Sequence, residues 1–368
     1  MVGQESKGAS GRLPSLDGLR AISAFMVIAG HTGKVIKTGR HMPFGSGIVD
    51  VWGPVGVTVF FVLSGFLITR LLVDERRKTG TVNLRDFFVR RAFRILPAYW
   101  AYLAVIAVLA SAGLVIADRS SLVRALSFTT DYLNPGSWVL NHSWSLSVEE
   151  QFYLFWPVLL LAVGLLRARR TALFLIVAAP VVRVLTFYLA PELRPSITAM
   201  LHLRIDAIMV GCWAALEMDA NPESRALDLM ARPQAALFGT VYCVLIAAIT
   251  RRVGVAQSAA GYSLEALCAC AVLLWAVRNP ASSVGRILNT RPLAHLGVMS
   301  YSLYLWQELW LSHETMTPLW MVPLLIAGTV LCGEVSYRLI EAPMLRLRRA
   351  RVSCRFQTSH ADPAPSQS

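Results

Sequence analysis

The chain has 368 residues, of which 55% are hydrophobic and only 15% are charged. A soluble protein carries roughly 25% charged residues, and the mean hydropathy here is +0.53, so a water-soluble enzyme with an ordinary charged surface is excluded. The formal net charge of +13 is concentrated at the ends of apolar runs. Basic residues there set membrane topology and contact anionic lipid head groups, so the expected partner is a lipid bilayer and not a nucleic acid.

Ten apolar runs predict an all-α fold, because each can cross a hydrocarbon core of about 30 Å as a helix. They cover residues 16–35, 50–73, 95–117, 148–166, 171–190, 197–217, 234–250, 258–277, 294–312 and 318–340. Basic residues cluster in alternate loops, which the positive-inside rule assigns to the cytoplasm. We therefore expect a polytopic bundle of about ten transmembrane helices in the cell membrane, with both termini cytoplasmic. Residues 1–350 form the predicted membrane domain, and residues 351–368 a disordered cytoplasmic tail.

The first run, LDGLRAISAFMVIAGH, places Arg20 and His31 in one membrane span. Their spacing puts both on one helical face with a rise of about 16 Å between them. With Arg20 close to the inner surface, His31 is expected near the middle of the bilayer. Lipid cannot satisfy an imidazole there, so the ring must face the bundle interior or a wet cavity. It serves either as a general base or as a structural hydrogen-bonding group.

Before the third run, the segment RDFFVRRAFRILP carries a compact arginine cluster, Arg90, Arg91 and Arg94. A guanidinium binds two phosphate oxygens at once, so a cluster at the inner surface suits the phosphates of a cytosolic cofactor such as coenzyme A. The other interpretation is a topology anchor that contacts lipid head groups. Charge alone favours that anchor.

The segment HSWSLSVEEQFYLFWP combines two carboxylates with aromatic residues at the predicted outer mouth of the fourth span. The spacing of Ser147 and Glu150 predicts a capping box at the start of a helix, which leaves Glu149 without a structural role. Trp144 and Tyr153 belong to an aromatic set that either anchors the helix at the interface or, together with Glu149, binds a sugar.

Two further ionisable residues, Arg204 and Asp206, lie within an apolar span. Because they are two positions apart, they do not face each other on one helix, and each is expected to contact another helix or a ligand. The later segment SYSLYLWQ offers hydroxyl groups that can equally form interhelical hydrogen bonds. The cysteines show no paired CxxC spacing, so no metal site is predicted.

Seven stretches, taken together and in chain order, resemble the acyltransferase 3 family of integral membrane O-acyltransferases. They are LDGLRAISAFMVIAGH, GVTVFFVLSGFLITR, RRAFRILPAYW, WSLSVEEQFYLFWP, LRIDAIMVG, SYSLYLW and IEAPMLR. They extend from residue 16 to residue 346, so the resemblance covers essentially the whole predicted membrane domain.

The resemblance implies transfer of an acyl group, often acetyl, from acyl-CoA to a hydroxyl of a carbohydrate or a glycosylated small molecule. Matched position by position, it marks Arg20 and His31, the pair Arg91 and Arg94, and the carboxylate of Glu149. Many members have a histidine where this chain has a glutamine at position 307. A glutamine cannot act as an acid or base, so a mechanism through that position is not expected here.

The mechanism expected from these features binds acyl-CoA through arginines and activates the acceptor through His31, either as general base or by carrying the acyl group transiently. Glu149 is expected to position the acceptor or to tune the imidazole. The predicted site residues are, for catalysis, His31 and Glu149; for acyl-CoA, Arg20, Arg90, Arg91 and Arg94; and for the acceptor, Trp144, Tyr153, Arg204 and Asp206. A transporter or flippase for a lipid-linked sugar is the rival interpretation, since intramembrane charges and an aromatic mouth suit it too. The lack of an evident internal repeat disfavours that rival.

Overall fold

A computed structural model describes residues 13, 15–39, 46–133, 136–251, 253–312 and 317–348. This part of the chain is almost entirely helical, since a helix satisfies its own backbone polar groups in apolar surroundings. The α-helices are α1 Leu16–Gly39, α2 Ser46–Thr79, α3 Leu84–Ser111, α4 Arg119–Leu126, α5 Ser143–Leu189, α6 Leu201–Ala220, α7 Arg225–Met230, α8 Pro233–Val241, α9 Ala247–Thr250, α10 Gly254–Ala256, α11 Tyr262–Arg278, α12 Ser283–Leu288, α13 Arg291–Val298, α14 Ser300–Trp310 and α15 Val322–Ser336. Short 3-10 and π-helical segments are Trp138–Leu140, Pro191–Ser196, Tyr242–Ile246, Gln257–Gly261, Leu319–Met321 and Tyr337–Glu341.

The long apolar helices agree with the predicted polytopic membrane bundle. Over the described ranges, eight helical stretches are long and apolar enough to cross a membrane. One of them, Trp138–Leu189, has 52 residues and would be about 78 Å long if straight, so it must hold two passes. It breaks at Gly164, whose φ of 77° favours glycine. Residues 291–310 form the two shorter helices α13 and α14, which pack against α1.

Close helix packing in the centre of the bundle depends on glycine. Gly65 of α2 and Gly211 of α6 face each other's helix backbones, and a Cβ at either position would overlap with a carbonyl oxygen of the partner helix. The hydrophobic effect does not drive helices together in lipid. Small residues let them approach closely enough for van der Waals contacts to stabilise the pair. The tight α2–α6 pair forms the wall against which the first half of α5 packs, through hydrogen bonds such as Ser64–Tyr153 at 2.6 Å.

Two sequence expectations about helix starts are wrong. The helix α3 begins at Leu84, before the apolar run at residue 95. Asn83 caps it by accepting a hydrogen bond from the Asp86 backbone N–H at 3.1 Å. The capped helix therefore includes the charged residues that precede the apolar run. Ser147 is no N-cap, since α5 already begins at Ser143 and the Ser147 hydroxyl donates to the Ser143 carbonyl at 2.9 Å. The predicted tail at 351–368 lies outside the described residues.

Candidate active site

His31 lies on α1 beside α14, where it contacts Gln307 and Glu308. Its Nδ1 is 2.5 Å from Gln307 Oε1. An amide oxygen only accepts hydrogen bonds, so Nδ1 carries a proton in this contact, and in the neutral imidazole Nε2 keeps its lone pair. Nε2 lies 3.9 Å from Glu308 Oε1, which is too far for a hydrogen bond. The imidazole is thus held in an orientation that leaves Nε2 available as a proton acceptor.

Glu308 is itself held by His142, which immediately precedes α5. The backbone N–H of His142 donates to Glu308 Oε2 at 2.8 Å, and His142 Nδ1 lies 2.8 Å from the same oxygen. The His142 ring contacts the edges of two tyrosine rings, Tyr102 and Tyr304, at centroid distances of 5.4 and 5.6 Å. Both side chains of the Glu308–His142 pair are 1% exposed, so the carboxylate has a single fixed position.

His31 and Arg20 lie at different levels along α2. His31 faces Gly53, near the start of the apolar stretch Val51–Thr79 of α2, whereas Arg20 lines a cavity together with Ser64 in the middle of that stretch. The first turn of α1 packs against α12 and α13. The depth of His31 in the bilayer stays a prediction.

Three of the four predicted acyl-CoA arginines, Arg20, Arg91 and Arg94, line one cavity between α1, α2, α3, α5 and α14. Its empty space, including the open mouth, is about 750 Å³. The other lining residues are Val57, Phe60, Phe61, Leu63, Ser64, Ile95, Ser145, Leu146, Glu149, Glu150, Tyr153, Ser300, Tyr301 and Tyr304. The cavity therefore combines cations, carboxylates and aromatic hydroxyls, as a site for a charged ligand requires.

The arginines of this cavity are only loosely paired. Arg20 Nη1 lies 3.9 Å from Asp17 and Arg94 Nη1 lies 3.7 Å from Glu341, and both guanidinium side chains are about one quarter exposed. Arg91 lies over the ring of Tyr153, 5.5 Å from its centroid, and no carboxylate oxygen in the described part of the chain comes within 4.0 Å of it. All three retain donors for an anion.

Arg90 lies apart from the other three arginines. Its Nη2 donates to Glu75 Oε2 at 2.6 Å, on the side of α3 that faces the end of α2, and it does not line the cavity. The guanidinium is committed to a carboxylate of the protein. The arginine cluster of the sequence thus divides into a cavity pair, Arg91 and Arg94, and a structural residue.

Glu149 also lines the arginine cavity and does not contact His31. The Tyr153 hydroxyl lies 3.0 Å from Glu149 Oε2 and 2.6 Å from Ser64 Oγ, so Glu149 and Tyr153 belong to one hydrogen-bonded group. The expectation that Glu149 tunes the imidazole does not fit this geometry. The carboxylate beside His31 is Glu308.

Tyr304 connects the arginine cavity with His31. It lines the cavity, and its hydroxyl lies 2.6 Å from Ser145 Oγ and 3.2 Å from the His142 carbonyl oxygen. His142 bonds to Glu308, which approaches His31. A buried chain of polar groups therefore extends from the cavity to the imidazole, over the rise of about 16 Å that separates Arg20 from His31 on α1.

Arg204 and Asp206 contact neighbouring helices, as expected, and lie outside the cavity. Arg204 Nη2 donates to Thr58 Oγ1 at 2.7 Å. Asp206 Oδ2 accepts from Arg183 Nη2 at 2.9 Å and from Ser263 Oγ at 2.6 Å, and the side chains of the Arg183–Asp206 pair are fully buried. This geometry explains Arg204 and Asp206 as interhelical contacts and gives no support to an acceptor-binding role.

The sequence reasoning missed Glu308 and His142 and misjudged Glu150. A carboxylate in an apolar run is a functional candidate because of its burial cost, and that signal could have identified Glu308. Glu150 lies two turns inside α5 and lines the arginine cavity. Trp144 does not line this cavity and packs edge-to-face against Phe61, with 5.9 Å between the ring centroids. Within the described ranges, no set of three His, Cys, Asp or Glu side chains could hold a metal ion.

Comparison with known proteins extends over nearly the whole chain. Residues 13–336 match the family model of the acyltransferase domain of the acyltransferase 3 family. The chain is 31% identical over 366 residues to "Putative peptidoglycan O-acetyltransferase YrhL" of Bacillus subtilis (strain 168) and 26% identical over 360 residues to "Peptidoglycan O-acetyltransferase OatA" of Listeria monocytogenes.

These alignments cover 90% of this chain but 55% and 56% of the two relatives, so the chain spans about half the length of the curated relatives it matches. No solved structure matches the chain. Eight long apolar helical stretches in the described ranges agree with a multi-pass membrane protein. Because one family model covers most of its length, the protein belongs to the acyltransferase 3 family of membrane O-acyltransferases.

Proposed function

We propose that the protein transfers an acyl group from acyl-CoA to a hydroxyl of a carbohydrate or glycosylated acceptor at the cell membrane, with acetyl as the first candidate for that group. The observation that carries the proposal is the buried polar chain that joins the cavity of Arg20, Arg91 and Arg94 to His31. The names of two relatives give peptidoglycan as the acceptor of an O-acetyl group, which supports a carbohydrate.

The arginine cavity is the proposed donor site. Arg91 and Arg94 bind the phosphates of coenzyme A through charge-assisted hydrogen bonds, and Arg20 orients the pantetheine arm from α1. Glu149 belongs to this donor end, where it fixes Tyr153 beside the arginines. The distance of about 16 Å between Arg20 and His31 lets one extended molecule place its phosphates and its thioester at the two ends of the polar chain.

His31 performs the proton transfer at the other end. Its Nε2 takes the proton of the acceptor hydroxyl as the hydroxyl oxygen bonds to the acyl carbon. The carbon–sulfur bond then breaks, and the proton on His31 passes to the thiolate of coenzyme A. In a two-step route Nε2 first bonds to the acyl carbon while the carbon–sulfur bond breaks and coenzyme A leaves as its thiolate. The acceptor hydroxyl then bonds to the acyl carbon, the carbon–nitrogen bond breaks, and the hydroxyl proton passes to the thiolate. Both routes need the free nitrogen that the Gln307 contact provides.

The test is thiol release from acetyl-CoA by protein in lipid nanodiscs, in the presence of a cell-wall glycan extract. We expect release by the wild type and a loss of roughly 10²–10⁴-fold in His31→Ala, the range that a positioned general base contributes. His295→Ala is the matched control, because His295 contacts a carboxylate, Glu334, at 3.0 Å on a different helix pair. Unchanged elution and thermal unfolding establish that each variant folds.

Three outcomes are informative. Full turnover in His31→Ala removes the central assignment. Wild-type protein that neither binds acetyl-CoA nor releases thiol contradicts the enzyme proposal and favours the transporter interpretation. Binding without release, across a panel of glycan extracts, contradicts the carbohydrate acceptor while retaining the donor site.

A further inference from the structure

We infer that Glu308 Oε1 and His31 Nε2 together form the acceptor subsite, which selects an acceptor with a second hydroxyl next to the one that is acylated. The inference rests on the proposed function and goes beyond it, because it assigns Glu308 as a residue that touches the acceptor. It also makes His142 the residue that positions Glu308.

The first observation is an unpartnered oxygen. Glu308 Oε2 is occupied by two contacts from His142, at 2.8 Å each, but Oε1 has no hydrogen-bond partner in the described part of the chain. The Glu308 side chain is 1% exposed. A buried carboxylate oxygen without a donor is costly, so Oε1 requires a hydrogen-bond donor that the described protein groups do not supply.

The second observation is where that oxygen points. Oε1 lies 3.9 Å from His31 Nε2, the nitrogen left free by the contact of Nδ1 with Gln307. Two hydrogen-bond acceptors therefore stand side by side without a proton donor between them. They cannot satisfy each other, and one hydroxyl can donate its single proton to only one of them.

The third observation is free space beside Nε2. A Cβ added to Gly53 of α2 would lie 4.0 Å from Nε2, with no atom closer than that to meet. The missing side chain leaves a recess beside the imidazole. The His31 side chain is 12% exposed.

A pair of adjacent hydroxyl groups fits these three features. One hydroxyl donates to His31 Nε2 and is acylated, while its neighbour donates to Glu308 Oε1 and fixes the orientation of the ring. Sites that bind a substrate hydroxyl through buried polar groups reject analogues that lack it by as much as ~10⁴–10⁵-fold. Glu308 is thus a specificity residue, and its effect is visible in the choice between a diol and a single alcohol.

The test uses two small probes, trans-cyclohexane-1,2-diol and cyclohexanol, with the full chain in nanodiscs. The first readout is protection of His31 against diethyl pyrocarbonate, followed by mass spectrometry of the peptide, and it needs no turnover. We expect the diol to protect His31 at concentrations at least tenfold lower than cyclohexanol. The second readout is acetyl transfer, in which the ratio of kcat/KM for diol over alcohol should also be at least tenfold.

Two variants separate specificity from folding. Glu308→Met removes both oxygens, and its diol-to-alcohol ratio should fall to within about threefold of unity. Glu308→Gln keeps one oxygen for His142 and replaces the charged acceptor with a neutral amide. Hydrogen bonds to a charged group are about twice as strong as neutral ones, so the diol-to-alcohol ratio of this variant should fall about tenfold. Glu334→Gln, which alters the carboxylate beside His295, is the matched control and should keep the wild-type ratio.

Equal protection by both probes, or a ratio that survives in Glu308→Met and Glu308→Gln, overturns the inference. Failure to protect His31 with either probe also overturns it, because the recess alone is inferred to bind the diol. Absence of acetyl transfer in wild-type protein that does show selective protection contradicts the proposed function and leaves the subsite intact. Gly53→Ala, which narrows the recess without a clash, should weaken protection by the diol.

Discussion

Removal of the Arg183 guanidinium tests whether the second buried polar cluster stabilises the fold or binds substrate. Arg183 Nε donates to the Ser258 carbonyl at 2.9 Å and Nη1 to the Leu203 carbonyl at 2.7 Å, while Nη2 lies 2.9 Å from Asp206 and 2.6 Å from Ser263. Four contacts on three elements use four of the five N–H donors of the guanidinium and hold it between the helices. Arg183→Met keeps much of the apolar stem and removes all four contacts.

The expected loss of unfolding free energy in Arg183→Met lies between two limits. Polar contacts inside membrane proteins average about 0.6 kcal/mol each, so four of them give roughly 2.4 kcal/mol. Removing one partner of a fully buried ion pair costs about 3–5 kcal/mol, because the other charge is left uncompensated. We expect a loss of about 3 kcal/mol in the free energy of unfolding, which lowers the ratio of folded to unfolded protein about one hundredfold.

The assay is equilibrium unfolding by SDS in mixed micelles, followed by tryptophan fluorescence. The matched control is Arg278→Met, because the Arg278–Asp228 pair at 2.7 Å is exposed and should contribute less than about 1 kcal/mol. A loss in Arg183→Met no larger than that of the control would refute the reasoning. So would an Asp206→Asn protein with unchanged stability and a raised KM for the acceptor, since that result assigns the cluster to substrate binding.

Three further predictions address the donor site, the packing and the polar chain. Arg91→Ala should raise the KM for acetyl-CoA about tenfold or more, since it loses charge-assisted hydrogen bonds worth about 1.5–3 kcal/mol, while Arg90→Ala stays within about twofold in the same thiol-release assay. Gly65→Ala should lower stability by about 1–3 kcal/mol in SDS unfolding, because its Cβ overlaps with the α6 backbone, whereas Gly254→Ala is tolerated. Tyr304→Phe should reduce kcat severalfold with little change in KM, because only the hydroxyl contacts to the chain are lost.

Each of these has a contradicting result. Equal KM values for Arg91→Ala and Arg90→Ala would remove the cavity as the donor site. Wild-type stability in Gly65→Ala would show that α2 and α6 are farther apart than described. A Tyr304→Phe protein with unchanged kcat would break the proposed link between the arginines and His31.

The sequence by itself determined the class of the protein, its all-helical membrane architecture and the helical neighbourhood of several site residues. Hydropathy and the spacing of charges are local properties, and a helix has a fixed rise and rotation per residue. The shared helix of Arg20 and His31 could therefore be anticipated from position alone. Charge alone favoured a topology anchor for Arg91 and Arg94, and only the family resemblance directed attention to them as ligand-binding residues. For Asp206 the local rules left a neighbouring helix and a ligand open, and the structure shows contacts with neighbouring helices.

Only the tertiary structure decided which side chains the buried carboxylates face. Glu149 joins the arginines and Glu308 reaches His31, a contact between side chains 277 positions apart in the chain, and no periodicity encodes the rotation of α14 against α1. Arg90 is separated from Arg91 because neighbouring residues on a helix point about 100° apart. That rotation aims Arg90 at Glu75 and Arg91 at the cavity. Sequence places each polar group on a helix, and the packing of the helices determines its partners.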